Sequence, residues 1–298
     1  MKLNIKGGRG MKLFKNFKRK SRAEIALHIF VSAIFMLVAL SYLYILVWAL
    51  IAGLRTNSEI VMNPFGLPTI WHWENYKNVF TLLQVNGKNF FDMLFNSVWF
   101  SVVGVLIQQF TTILFAYTCS KYKFPGSKLP YVIVLVMITL PIYGNAGAVY
   151  KIYKAMGLVD SYAHVLASAC GFTMHFLYYT AFFKNLSWTY AEAAMMDGAN
   201  DFQIFGHVMF PQAKPIFGSL FLTGWIHNWN AYESALVYLP NLPTLPVGIY
   251  QFNTEMIYRA RLDILFAACV IISIPAIALF IIFNKTITSS VSVGGIKG

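Results

Sequence analysis

Residues 192–215 read EAAMMDGANDFQIFGHVMFPQAKP, a polar stretch between two strongly hydrophobic ones. Ala193 and Ala194 favour a helix, and Gly198 is a common residue just after a helix end. Beyond that break, apolar residues recur at three- and four-residue spacing, which predicts a second helix with one apolar stripe. The stripe consists of Phe202, Phe205, Val208 and Met209. Because Pro211 ends the pattern, the stretch predicts a helix–turn–helix at a membrane surface.

The sequence on both sides of this stretch is unusually apolar. Hydrophobic residues make up 58% of the 298 residues and charged residues 11%, against about 45–50% and about 25% in soluble domains. The apolar residues form runs of around twenty, the length that a helix needs to cross a bilayer. The predicted spans are 26–50, 93–118, 130–150, 163–184, 215–239 and 263–284. The fold class is therefore an all-α integral membrane protein with six transmembrane helices.

The basic residues predict how the spans are oriented. The net charge is +12, and nine of the 23 lysines and arginines precede the first span. Such clusters stay in the cytoplasm, so both termini and the loop at 190–215 are predicted to be cytoplasmic, and no nucleic acid partner is implied. A cleaved signal peptide is the alternative, but the apolar run from Ile25 to Ile51 is too long for one.

This topology divides the chain into four predicted segments. Residues 1–25 form a basic cytoplasmic tail, and 26–90 form the first transmembrane helix and an outer loop. Residues 91–284 form a five-helix core that contains the loop at 190–215, and 285–298 form a cytoplasmic C-terminal tail.

The first outer loop is rich in aromatic side chains, which favours anchoring at the headgroup level of the membrane. These residues are Trp71, Trp73, Tyr76, Phe80, Phe90 and Phe91.

The sequence contains no recognisable catalytic or metal-binding constellation. Cys119, Cys170 and Cys269 are isolated and odd in number, which argues against a disulfide framework or a CxxC site. A nucleotide-binding G-x-x-x-x-G-K-[ST] loop is lacking, because the Gly-Lys pair at 87–88 has neither the upstream glycine nor the following hydroxyl residue. The chain is predicted to be a non-catalytic membrane subunit with no cofactor or metal of its own.

The fifth predicted span carries hydrogen-bonding and aromatic side chains near its outer end. Polar groups are costly in a membrane unless they face a neighbouring helix or a cavity, and amides beside aromatic faces suit a sugar. The candidate substrate-pathway residues are Asn228, Trp229, Asn230, Tyr232 and Glu233. Alternatively, the two asparagines join helices and Glu233 forms a gating or interfacial pair. Residues expected to join helices elsewhere are Gln108, Gln109, Thr111, Thr112 and His175.

The stretch at 192–215 resembles the EAA loop of ABC importer permeases. Glu192-Ala193-Ala194 is followed after three residues by Gly198, and after nine more by Val208-x-Phe210-Pro211. The fuller form, with Asp197-Gly198-Ala199 and Pro215, looks like the carbohydrate-uptake branch of that family. Membership implies the transmembrane fold of a type I importer.

In that family the EAA loop inserts into a cleft of a separate ATPase. The resemblance implies that Glu192 pairs with a basic residue there and that Gly198 serves as a hinge or cap. The other residues to which an ATPase-coupling role is carried over are Ala193, Ala194, Asp197, Ala199, Phe205, Val208 and Pro211.

Weaker similarities to permeases of the maltose-system type extend over about residues 70–284. They include Glu74-Asn75-Tyr76, Asn96-Ser97, Gly157-Leu158, Ser161-Tyr162, Trp229-Asn230 and Thr244-Leu245-Pro246-Val247-Gly248. Two departures concern the loop itself. The family often has a proline shortly before the glutamate, where this chain reads LSWTY at 186–190, and it usually has leucine in place of Phe210.

The resemblance implies the partners of a bacterial sugar importer in the inner membrane. These are a second homologous permease, two ATPase subunits that bind ATP and Mg²⁺, an extracellular sugar-binding protein of the lipoprotein or periplasmic type, and membrane lipid. The outer segment at 241–253 resembles the loop by which a permease reaches into the docked binding protein. Its candidate contact residues are Asn241, Thr244, Tyr250, Gln251 and Asn253.

Two other functions are alternatives to a sugar importer. An ion-coupled secondary transporter would need ionisable groups or broken helices near the middle of the membrane, for which Glu233 is the one candidate. A non-transporting membrane sensor or scaffold would account for the spans but not for the EAA spacing.

Overall fold

The structure is a computed structural model that describes residues 21–140, 144–170, 174–255 and 261–294. Most of the predicted basic tail, at 1–20, lies outside the described residues, as do Arg259 and the last four residues. Within the described ranges all regular elements are helical, apart from an isolated bridge between Val85 and Lys88. This confirms the all-α class.

The helices follow one another through short connections. They are α1 (Arg22–Ala52), α2 (Asn57–Met62), α3 (Glu74–Leu82), α4 (Phe90–Val98), α5 (Gly104–Lys121), α6 (Leu129–Thr139), α7 (Ala146–Ala155), α8 (Met174–Asn185), α9 (Thr189–Met196), α10 (Asp201–Gln203), α11 (Phe210–Asn230), α12 (Tyr232–Tyr238), α13 (Leu245–Glu255) and α14 (Leu262–Gly294). A π-helical segment, Trp99–Val103, joins α4 to α5, and another, Ile204–Met209, joins α10 to α11. A 3₁₀-helix, Tyr162–Cys170, precedes α8.

Three helical segments in the described ranges are long and apolar enough to cross a membrane. They are Ala23–Ala52, Phe90–Lys121 and Leu262–Phe283. The 3₁₀-helix and α8 qualify together, although they meet at a 50° bend. The count of six crossings therefore stays a prediction.

Three of the predicted spans are not single helices. In the third, α6 ends at Thr139 because Leu140 is extended (φ −96°, ψ 105°), as is common for a residue before a proline. The fourth is the bent pair. The fifth breaks at Ala231, whose ψ of 73° separates α11 from α12. The sixth predicted span, in contrast, is shorter than the helix that contains it. α14 continues beyond residue 284 through part of the predicted tail to Gly294.

The first helix stands largely apart from the rest of the bundle. It begins at a capping box in which Ser21 and Glu24 bond each other's backbone N–H groups. Its side chains from Ala26 to Val47 are exposed, and they are apolar on every face. Near its C-terminal end, Trp48 packs edge-on against Phe266 of α14, with ring centroids 4.8 Å apart. A helix with this surface is suited to lipid or to another transmembrane helix.

Two hydrophobic clusters form the core, and α5 and α11 contribute to both. The first cluster lies around α3, α13 and α14 and includes Val79, Val105, Trp225, Leu245 and Ile264. The second cluster lies around α6, α8 and α9 and includes Ile113, Phe176, Ala191, Ile204 and Leu220.

A polar network joins the helices between these clusters. Gln109 of α5 is fully buried, and its amide nitrogen donates to Nδ1 of His175 (2.7 Å) and to the carbonyl of Leu220 (3.2 Å). Its amide oxygen accepts from the hydroxyl of Tyr179 (2.7 Å). The prediction that Gln109 and His175 join helices is confirmed, and Tyr179 is an additional member.

The connecting segments gather at two opposite ends of the bundle. At one end, Asn86 donates to the carbonyl of Pro240, and Asp160 accepts two hydrogen bonds from Asn241. At the other end, Tyr122 donates to Asp201. The helix from Phe90 to Lys121, 32 residues long, separates the ends by about 48 Å.

A compact polar cap covers the C-terminal end of α1. Arg55 is buried and donates to the carbonyls of Glu59, Asn63 and Pro64. The carboxylate of Glu59 accepts from the backbone and hydroxyl of both Thr56 and Thr69. These hydrogen bonds, with that of the Thr69 hydroxyl foremost, lower the pKa of Glu59 to about 2.

We expect Glu59→Gln to loosen the segment from residue 56 to residue 73. The variant would weaken the charge-assisted hydrogen bonds by about 1 kcal/mol, which corresponds to a roughly five-fold faster exchange of the amide hydrogens in this segment. Since the folded pKa lies below the ordinary value of 4.5, the wild-type advantage is present above that pH and is lost as the pH falls towards 2. Hydrogen-exchange mass spectrometry measures both effects. Glu74→Gln, at an exposed glutamate nearby, is the control, and equal exchange in the two variants at pH 7 would contradict the prediction.

Candidate coupling and transport site

The first part of the loop at 190–215 ends in a well-formed helix cap. Gly198 follows the end of α9 with a φ of +81°, a left-handed conformation that favours glycine. The N–H of Gly198 donates to the carbonyl of Met195, and that of Ala199 donates to the carbonyl of Ala194, both at 3.0 Å. This hydrogen-bond pair is a Schellman motif. Gly198 is therefore a helix cap in this structure.

The next helix starts within two residues of that cap. The side chain of Asn200 accepts from the N–H of Gln203, and the side chain of Gln203 accepts from the N–H of Asn200, both at 2.9 Å. The hydroxyl of Tyr122 donates to Asp201 at 2.8 Å, which ties the turn to the end of α5. Burial of its phenol group is the main cause that raises the pKa of Tyr122, and this hydrogen bond is the second cause. The predicted helix–turn–helix is thus present and fixed at both sides of its turn.

Large side chains anchor the loop to the bundle. Ala191, Ile204 and Met209 are fully buried in the second cluster. The ring of Phe205 packs against that of Tyr117, with centroids 5.0 Å apart. Among the predicted coupling residues, Ala194, Ala199, Phe205, Val208 and Pro211 are partly buried. Phe205, Val208 and Pro211 therefore pack the second helix against the bundle and do not form its outermost surface.

The outward surface of the loop combines acidic and apolar groups. Glu192, Ala193, Asp197 and Gly198 are exposed, as predicted coupling residues should be. In the described part of the chain the carboxylate of Glu192 has no hydrogen-bond or ion-pair partner. Met196 and Phe202 flank the turn, and each is 89% exposed. Sequence reasoning did not select these two, although large apolar residues beside a polar turn were the available signal.

The single apolar stripe predicted for the second helix is wrong at its first member. Phe202 points away from the bundle, whereas Met209 is fully buried. Between them lies the π-helical segment Ile204–Met209, which adds a residue per turn and changes the face that later residues occupy. Ile204, outside the predicted stripe, takes the buried position instead.

Part of the fifth-span cluster opens onto a cavity of about 540 Å³. Asn230 and Tyr232 line it from the break between α11 and α12, and Tyr250 and Asn253 line it from α13. The rings of Tyr232 and Tyr250 stack with centroids 4.9 Å apart. The structure thus brings together residues that were predicted as two separate sites.

Asn228 faces a second, smaller cavity of about 120 Å³. His164, Ser168 and Ser234 line it together with Thr244. Thr244 is buried, so it is not at a surface that another protein can reach in this conformation. A cavity of this size has room for a few water molecules but not for an oligosaccharide.

The remaining candidates are placed differently from one another. Trp229 also lines the larger cavity, but it is only 2% exposed and donates its indole N–H to the carbonyl of Ile272, so most of its ring lies in the core. Glu233 is exposed and lines neither cavity. Asn241 is exposed but already binds Asp160 through its backbone and side chain. Gln251 is partly buried on α13.

Comparison with known proteins gives consistent matches. The family model for the inner membrane component of binding-protein-dependent transport systems matches residues 110–293. The diacetylchitobiose uptake system permease of Streptomyces coelicolor is 30% identical over 84% of this chain and 82% of its own length. The arabinooligosaccharide transport permease of Bacillus subtilis is 27% identical over 92% of this chain and 96% of its own length.

One solved structure shares the fold closely. It is a crystal structure of a bacterial ABC transporter involved in the import of the acidic polysaccharide alginate. The match has a TM-score of 0.74 at 22% identity and covers 89% of this chain and 98% of the other.

We expect Gly198→Ala to fray the end of α9. No atom lies within 4 Å of an added Cβ there, so the cost is the left-handed backbone alone, about 1 kcal/mol, or roughly five-fold in amide exchange. Gly206→Ala is the matched control, since it has equal space and no positive φ. Hydrogen exchange of residues 195–200 should rise in the first variant only. A similar rise in both variants would show that the cap does not depend on glycine.

Proposed function

Because this chain belongs to the family of inner membrane components of binding-protein-dependent transport systems, we propose that it is a permease subunit of an ATP-driven oligosaccharide importer. The family match and the curated permease relatives confirm the resemblance predicted from the EAA spacing. The chain supplies half of the translocation pathway and docks on a separate ATPase. A second permease of the same family, two ATPase subunits and an extracellular sugar-binding protein complete the transporter.

The single observation that carries this proposal is the exposed helix–turn–helix at one end of the bundle. It holds Glu192, Met196 and Phe202 outward on a backbone fixed by a Schellman motif and a capping box. A rigid surface with a free carboxylate and two large apolar side chains suits insertion into a cleft on another protein. We place this surface in the cytoplasm, where the ATPase binds ATP and Mg²⁺.

The helix that follows this surface leads directly to the larger cavity. After the anchors at Ile204 and Met209, α11 runs without interruption to Asn230. Its 21 residues span about 31 Å. A displacement of the docked loop is therefore carried along one helix to a residue that lines the cavity. Such a helix can couple two alternating conformations of the transporter if the contacts at both of its ends change together.

Oligosaccharide is the substrate class that the relatives and the cavity favour. The two permeases described above carry names that refer to diacetylchitobiose and arabinooligosaccharides. In this chain, the stacked pair of Tyr232 and Tyr250 offers aromatic faces, and Asn230 and Asn253 offer amide groups. Aromatic faces with a few hydrogen-bonding groups form a suitable contact surface for sugar rings.

We expect Glu192→Lys to abolish ATPase docking. The reversed charge would face the basic residue that the carboxylate is proposed to pair with, and uptake of the sugar should fall at least ten-fold. Co-purification of the ATPase with the tagged chain measures docking, and uptake of labelled sugar in cells measures transport. Glu74→Lys is the matched control, because Glu74 is also an exposed glutamate in the first turn of a short helix.

Wild-type uptake and co-purification by Glu192→Lys would exclude this docking surface. Uptake that persists without any ATPase would instead favour the ion-coupled secondary transporter. Equal amounts of both variants in the membrane fraction are required for the comparison.

We expect Tyr232→Ala to raise the sugar concentration needed for half-maximal uptake by about two- to ten-fold, since one aromatic contact is worth roughly 0.5–1.5 kcal/mol. Tyr232→Phe keeps the ring and should stay near the wild-type value. Tyr42→Ala, at an exposed position of α1, controls for loss of a tyrosine. A wild-type concentration dependence in Tyr232→Ala would place the sugar elsewhere.

A further inference from the structure

The loop between α2 and α3 exposes an extended apolar surface. Residues 61–73 read VMNPFGLPTIWHW and contain no Asp, Glu, Lys or Arg. Seven large side chains in this segment are between 52% and 86% exposed. They are Val61, Met62, Phe65, Leu67, Ile70, Trp71 and Trp73, which we call the apolar apron.

Polar contacts hold the backbone of the same segment from the inner side. Arg55 holds the carbonyls of Asn63 and Pro64, and Glu59 holds Thr69 through its backbone and hydroxyl. The N–H of His72 donates to the carbonyl of Leu54 at 2.9 Å. The backbone is therefore fixed from within while the apolar side chains face outward, which is the reverse of a loop built for water.

The length of α1 sets the height of the apolar apron in the membrane. Its apolar helical segment has 30 residues and spans about 45 Å, close to the roughly 40–45 Å of a bilayer with both headgroup regions. Trp48, four residues before the end of α1, donates its indole N–H to the carbonyl of Pro64 at 2.8 Å. Pro64 thus lies about 6 Å inside the helix end, at the boundary between headgroups and acyl chains.

We propose that the apolar apron inserts into the headgroup and upper acyl region of the bilayer beside α1. Its occupant is phospholipid. Three observations agree on this: the uncharged sequence, the height fixed by the Trp48 contact, and continuity with the exposed apolar surface of α1. Trp71 and Trp73 stack at 6.4 Å and are exposed, and tryptophan is enriched at this depth of membranes. Arg55 and Glu59 position the surface without reaching the lipid themselves.

Site-directed spin labelling tests this placement. Single cysteines replace Phe65, Leu67 or Ile70 in a full-length chain that lacks Cys119, Cys170 and Cys269, purified with its associated subunits and reconstituted into phospholipid vesicles. Collision rates with oxygen, which concentrates in lipid, and with a water-soluble nickel chelate report the surroundings. The oxygen-to-nickel ratio should be at least three-fold higher at these positions than at Gln84→Cys, an exposed polar position on the same side.

A ratio equal to that of Gln84→Cys would overturn the proposal and leave the surface in water. Protection from both reagents at all three positions would also overturn it, because a protein partner would then cover the surface. Leu37→Cys, on the exposed face of α1, provides the lipid reference. An independent measurement uses brominated phospholipids, which quench the emission of tryptophans that lie in lipid. Replacing both Trp71 and Trp73 by Phe should reduce this quenching. Replacing the buried pair Trp225 and Trp229 by Phe should reduce it less.

Discussion

The buried amide of Gln109 is the interaction on which the arrangement of the central helices depends. A polar side chain in an apolar bundle is costly unless it is satisfied, and three of its hydrogen bonds reach His175, Tyr179 and Leu220. This fixes the positions of α5, α8 and α11 at one level. Gly224 lies at the same level, where an added Cβ would be 3.5 Å from the Gln109 amide nitrogen, so α11 approaches α5 closely there. The two hydrophobic clusters then lie on either side of this level.

This arrangement gives the two ends of α11 different surroundings. Near its start the helix is embedded in the second cluster through Ala213 and the anchors before it, and at its outer half it packs in the first cluster through Trp225. The break at Ala231 leaves Asn230 and Tyr232 on a cavity wall instead of in the packed core. The loop that precedes α11 and the cavity at its other end are therefore connected by one element that is held at its middle.

Local sequence signals predicted the end of the first helix of the loop, because glycine after a helix end favours the Schellman motif without any tertiary contact. The capping box of Asn200 and Gln203 was not predicted, although asparagine three residues before glutamine is a local signal of the same kind. Contacts between distant residues were not predictable in the same way. Tyr179 lies 70 residues from Gln109, and the stacking of Tyr232 on Tyr250 depends on the break at Ala231. The outward position of Phe202 was missed because a helical period assumes a regular helix, and the π segment shifts it.

Exposed apolar side chains occur at both ends of the bundle, but their charged neighbours differ. At the loop before α11, Met196 and Phe202 lie among three exposed acids, Glu192, Asp197 and Asp201. Residues 61–73, which carry the apolar apron, include no charged residue. Of the charges that flank them, Arg55 is buried and Glu59 bonds Thr56 and Thr69, whereas Glu74 is exposed. Carboxylates beside apolar groups suit a protein surface that can supply cations, whereas they would oppose entry into lipid. The distribution of charge, more than hydrophobicity itself, therefore distinguishes the surface proposed to meet a protein from the one proposed to meet the bilayer.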